Sequence, residues 1–213
     1  MIQHLQHNRV ELALHTLRAG EGRPLLLLHG LGERAPARLP EELSGWPGPI
    51  HALDFTGHGN SSVPRGGGYT CELLMADADV ALQRLGSATL VGRGLGAYVA
   101  LLLAGARPKQ VRGAILRDGP GLAGGGAGLS SPFIPYADET RPAPPDPFAL
   151  VDLATDIRPP DYACVFARLA AQLSELRHPV AVCARERPSW LEAVMKELDV
   201  EAIALRDALD GYA

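Results

Sequence analysis

The chain has 213 residues, 46% of them hydrophobic and 21% charged, the proportions of an ordinary globular protein, and that length predicts a single domain around one core. Its formal net charge is -4, its pI lies near 6.0, and its basic residues never cluster beyond two or three. These values exclude the basic surface that a nucleic-acid backbone or an anionic membrane selects.

Two alternating stretches, Ile2 to Leu5 and Val10 to Leu17, predict an amino-terminal antiparallel hairpin. Arg23 to Gly30 ("RPLLLLHG") and Pro49 to Phe55 ("PIHALDF") are short apolar runs that end at glycine-containing turns, as buried parallel strands do. Between them Pro36 to Gly45 has room only for a short helix. Thr70 to Leu85 carries Leu73, Leu74, Ala78, Val80, Ala81 and Leu85 at helical spacing, with Thr70 as the N-cap. A strand Ala88 to Val91, a helix Leu95 to Ala106 and a strand Val111 to Leu116 follow. Alternation of this kind predicts an α/β fold, a three-layer sandwich around a mostly parallel sheet. The longest apolar run, Ala97 to Ala104, is too short to span a bilayer.

The regularity breaks at Gly119, where the glycines and prolines concentrate. Residues 119–160 hold "GPGLAGGGAGLSSPFIP" and "RPAPPDPF" and are expected to form a reduced cap or lid excursion, with one helical turn near Phe148 to Ala154. The run "GPGLAGGGAG" lacks a following Lys-Ser/Thr and is not a G-x-G-x-x-G opening a helix, so a flexible loop is expected rather than a phosphate cradle. The pattern then predicts a helix Pro160 to Leu176, a strand Val180 to Ala184, a helix Ser189 to Leu198 and a last strand Glu201 to Leu205. Cys71, Cys164 and Cys183 lie far apart without C-x-x-C spacing, and "MIQHLQHNRV" has no positive region leading into an apolar core. Free buried thiols, no signal peptide and a cytoplasmic setting are expected, with no metal and no cofactor.

Three segments in this order, "LLLLHGLG", "DFTGHGNSS" and "VGRGLGAYVALLLAG", together resemble the α/β-hydrolase superfamily over roughly residues 10–118. The resemblance implies that the turn His29-Gly30-Leu31-Gly32 supplies a backbone N–H to an oxyanion hole. It implies that Asp54, Gly57, Gly59 and Ser61 form the loop flooring the site, and that Gly92-Arg93-Gly94-Leu95-Gly96 is the nucleophile elbow. Where that elbow carries its nucleophile, this chain has Gly94, which adopts a positive φ at less cost than a residue with a Cβ.

The superfamily's chemistry needs a nucleophile, a histidine to take its proton and a carboxylate to orient that histidine. Gly94 has no side chain to attack with, Glu186 is the only carboxylate just past the strand Val180 to Ala184, and no histidine follows His178. The resemblance therefore implies a non-catalytic homologue that binds a small ligand or acts as an interaction protein. The alternative is an esterase-like enzyme using non-standard residues, His29, His58 and Glu186.

Candidate pocket residues are His29, Gly30, Leu31, His58, Arg93, Gly94, Leu95 and Asp118. His29 and His58 either brace their loops or act as a general base. Arg93 either holds an anionic ligand beside the helix N-terminus at Leu95 or pairs with an acid such as Asp118. Asp118, at the carboxyl edge of the sheet, either binds a ligand or caps the Gly119-Pro120 turn. Ser61 and Ser62, as displaced nucleophiles, have no partner base except His58, and Cys183 is expected to be an inert core thiol. A homodimer is left open.

Overall fold

The computed structural model describes residues 1–65, 67–125 and 144–213; the central part of the expected cap, 126–143, lies outside the described residues. Among these, β1 (Ile2–His7) and β2 (Val10–Arg18) form the antiparallel hairpin, and β2 pairs antiparallel with β4 (Ile50–Asp54). The pairing is parallel from β4 through β3 (Leu25–Leu28), β5 (Ala88–Arg93), β6 (Val111–Arg117) and β7 (Val180–Val182). The sheet order is β1-β2-β4-β3-β5-β6-β7.

The four consecutive leucines of β3 show why a central parallel strand loses its polar alternation. Leu26 and Leu28 enter the core beneath one helical layer, while Leu25 and Leu27 enter the core on the opposite face. The first layer is α1 (Cys71–Leu85), α2 (Leu95–Ala106), α3 (Pro147–Thr155), α4 (Pro160–Leu173) and α5 (Ser189–Leu198). The second is α6 (Leu205–Tyr212) with Leu43 and Trp46 from the β3–β4 connection. The architecture is thus an α/β fold with helices packed around a mostly parallel seven-stranded sheet. Thr70 caps α1 by accepting from the Leu73 N–H at 3.2 Å. Every residue of α2 from Leu95 to Gly105 is buried, and Gly105 lets α4 approach, since a Cβ there would lie 2.5 Å from the Phe166 carbonyl oxygen. No helix among the described residues is long and apolar enough to cross a membrane.

Two segments depart from expectation. The predicted strand Glu201 to Leu205 is a single bridge from Ala202 to Val182, with the Ile203 N–H on the Val182 carbonyl at 2.9 Å. β7 is too short to carry more, and the stripe Leu205, Ala208, Leu209 and Tyr212 has helical spacing. The Tyr212 ring seats on Gly113, where a Cβ would lie 2.5 Å from the ring, and α6 covers this end of the sheet. The region near Phe148 is a nine-residue helix, started by Asp146 accepting from the Phe148 N–H and by Pro147 in the first turn. As expected, the β3–β4 connection holds only a short helix, the 3₁₀ turn Glu41–Leu43, where parallel strands are normally bridged by an α-helix.

Candidate active site

β5 ends and α2 begins around one residue, Gly94, whose φ of 58° and ψ of -118° form the sharp turn of a nucleophile elbow. The turn is locked from below by the Gly96 N–H donating to the His29 carbonyl at 3.1 Å. A Cβ at Gly96 would lie 2.3 Å from the Leu28 carbonyl oxygen, so the helix can dock on β3 only through glycine.

Two backbone donors converge above the elbow: Leu95, directly after Gly94, and Leu31, in the turn after β3. In this architecture those positions hold the oxyanion of an acyl-transfer intermediate. Here both N–H groups donate to one internal acceptor, the Pro120 carbonyl oxygen, at 2.9 Å each. That carbonyl also fills the place of a nucleophilic side chain, because a Cβ on Gly94 would lie 2.1 Å from the Pro120 oxygen and 2.6 Å from the Gly119 carbonyl carbon.

The strap 119–122 is held from the helical side. Arg158, fully buried, donates through Nη1 to the Gly121 carbonyl and, at 2.6 Å, to the Leu122 carbonyl, and its guanidinium stands 4.9 Å from the centre of the Tyr98 ring. The Trp190 indole N–H donates to the same Leu122 carbonyl at 2.9 Å. Neither Arg158 nor Trp190 carried a recognisable signal in the sequence, since each acts on a backbone carbonyl at least 36 residues away.

The histidines are built into loops. His29 is bonded through Nδ1 to the Gly30 carbonyl at 2.8 Å, and its Nε2 accepts from the Phe55 N–H at 3.1 Å. His58 is bonded through Nδ1 to the Thr56 carbonyl at 3.1 Å and accepts at Nε2 from the Gly32 N–H at 3.3 Å. An Nε2 that accepts leaves the proton on Nδ1, so both rings are neutral cross-links between the turns after β3 and β4. Burial, reinforced by neighbouring His58, pushes the His29 imidazole down to about 3, and burial likewise lowers His58.

Asp54 accepts from the N–H groups of Ala35 and Asn60, at 2.6 and 2.8 Å, and pairs with His15 at 2.8 Å. Ser61 accepts from the Ala13 N–H at 2.9 Å and Ser62 from the Glu11 N–H at 3.1 Å, which ties the loop to β2. Sequence reasoning missed the fully buried Asp77, which accepts from the Thr56 N–H at 2.8 Å and pairs with His7 at 2.6 Å. Cys183 lies just beyond β7, half-buried rather than in the core, and burial pushes its thiol up to about 11.

Arg93 is exposed and bonds through Nε to the Glu33 carboxylate at 3.0 Å and through Nη1 to the Asp118 main-chain carbonyl at 3.1 Å. The Asp118 carboxylate accepts instead from the N–H groups of Arg185 and Glu186, at 2.8 and 2.9 Å, and so caps the loop after β7. The Glu186 side chain is exposed. A cavity of about 600 Å³ opens beside the elbow; His29 and Arg93 are among its walls, whereas Gly30, Leu31, His58, Gly94, Leu95 and Asp118 are not.

A mostly parallel sheet carrying a strand, glycine turn and helix elbow with two convergent N–H donors defines the α/β-hydrolase architecture. The chain belongs to the alpha/beta hydrolase family, whose pattern matches residues 25–210. Among solved structures it is similar to the thioesterase domain from the curacin biosynthetic pathway, with a TM-score of 0.72 and 17% identity over 96% of this chain and 92% of that one. A hypothetical protein from Pseudomonas aeruginosa PAO1 matches with a TM-score of 0.67 and 22% identity over 96% and 90% of the two chains. The N-formylmaleamic acid deformylase from Pseudomonas putida S16 matches with a TM-score of 0.59 and 16% identity over 92% and 88%. At these identities the likeness is one of fold. No curated protein matches the sequence.

Proposed function

We propose that this protein is a non-catalytic member of the family that acts by binding a small molecule rather than by cleaving an ester or amide. The observation that carries this is the Pro120 carbonyl, which accepts from Leu31 and Leu95 at 2.9 Å each where a reacting substrate oxygen would sit. A substrate entering would have to break both bonds, each worth about 0.5–1.5 kcal/mol net, and would then meet a residue without a nucleophile. The competing reading, catalysis by His29, His58 and Glu186, has less support: both ring nitrogens of each histidine are engaged in the loops, and Glu186 faces solvent. The free cysteines favour a cytoplasmic setting.

The test is a fluorophosphonate label together with p-nitrophenyl acetate turnover on the purified protein. No labelled residue and turnover equal to buffer are expected. A labelled serine, or turnover lost on His58→Ala, overturns the proposal.

A further inference from the structure

The cavity beside the elbow has a composition that names a ligand class. Its floor is a row of register partners across three strands, Ala52 of β4, Leu27 of β3 and Val91 of β5, which line it although each is more than nine-tenths buried. Two residues beyond Val91 on the same face stands Arg93, whose register partner on β6 is Arg117, and both line the cavity. Two like charges directly opposite on neighbouring strands repel each other, so an anion between them is stabilising. In this structure carboxylates of the chain itself take that role: Glu33 binds Arg93 at 3.0 Å and Glu42 binds Arg117 at 2.7 Å. Arg34 adds a third positive charge to the walls. Among the described residues the mouth therefore carries three arginines against two glutamates, in a chain whose formal net charge is -4.

The geometry points to this cavity as a binding site for an apolar carboxylate, its tail on the Ala52–Leu27–Val91 floor and its head between Arg93 and Arg117. This assignment rests on the proposal that the protein binds rather than turns over. About 600 Å³ is within the range that buries a small organic ligand. The Glu42 side chain is 51% exposed, so exchanging its ion pair for a ligand carboxylate costs little. A guanidinium suits a carboxylate because its fork can donate two parallel hydrogen bonds; the Arg117 fork is freed when Glu42 leaves, and Arg93 beside it adds its charge. Alkyl and aromatic acids share this chemistry, and probes of both kinds separate the two sources.

The experiment is calorimetric titration of the intact protein with decanoate, naphthoate, decanol and acetate. Decanoate or naphthoate should bind, decanol at least about ten-fold more weakly, and acetate not measurably, because head and tail are both needed. Glu42→Gln should strengthen the acid several-fold by removing the internal competitor. The double variant Arg93→Gln, Arg117→Gln should keep its circular dichroism spectrum and its decanol binding but lose the preference for the acid. Equal binding of acid and alcohol, a preference that survives in the double variant, or no binding of either acid overturns the assignment. None of those outcomes touches the non-catalytic reading, which stands or falls on labelling and turnover.

Discussion

Gly94 is constrained twice, by its own torsions and by its neighbour. Its φ of 58° is a region that costs a residue with a side chain about 1–3 kcal/mol, and the Pro120 oxygen leaves no room for a Cβ. Gly94→Ser is therefore expected to lower stability by more than about 2 kcal/mol in urea unfolding and to produce no ester turnover. Substantial turnover would show that strap 119–122 yields readily. The His29 ring makes a different prediction. Its folded pKa of about 3 lies below the ordinary value of 6.5, so the unfolded chain takes up the proton first. This histidine's stabilisation is complete above about pH 6.5 and is lost as pH falls toward 3, at about 1.4 kcal/mol per pH unit, with lowered His58 acting in the same direction. Unfolding free energies at pH 7, 5.5 and 4.5 should show this slope, and it should be shallower in His29→Asn.

At the scale of elements, the strap is the part that separates this fold from an open site. It is held by donors from four places in the chain: Leu31 after β3, Leu95 at the start of α2, Arg158 before α4 and Trp190 in α5. Arg158→Met leaves the Gly121 carbonyl without its donor, while the Leu122 carbonyl keeps the Trp190 indole N–H, so a loss of about 1–3 kcal/mol for one buried group left unsatisfied is expected. The local consequence is more telling than the global one. The Leu31 and Leu95 amides should exchange slowly in the native protein and much faster in Arg158→Met, measured by hydrogen exchange, while amides of β1 and β2 stay unchanged. Equal acceleration everywhere would mean that Arg158 supports the core rather than the strap.

For the whole molecule, the sheet joins two cores, one under α1, α2, α4 and α5 and one under α6 and the β3–β4 connection. Every parallel strand contributes to both, as Leu26 and Leu28 against Leu25 and Leu27 illustrate, so neither face can be lost alone. Calorimetry is expected to show one unfolding transition; two would separate the faces and end the single-domain expectation.

Outside residues 119–160, alternating apolar runs and glycine turns made the β/α order legible as far as Leu198, because those signals act within a few residues and the central parallel strands are buried on both faces. The glycine at the elbow was equally plain. The carboxy-terminal end was not: the expected strand Glu201 to Leu205 shrank to one bridge against a three-residue β7, and Leu205–Tyr212 formed a helix whose Tyr212 ring seats on Gly113. The occupant of the two convergent donors was beyond sequence altogether: Pro120 contributes a carbonyl, a group every residue has, and only the packing of Arg158 and Trp190 selects that one. The sequence by itself determined an α/β sheet with Gly94 at the turn between β5 and α2. Tertiary structure alone decided that the elbow is closed from above and that Arg93 stands beside Arg117 over an apolar floor, since both depend on contacts between distant segments, which local spacing does not encode.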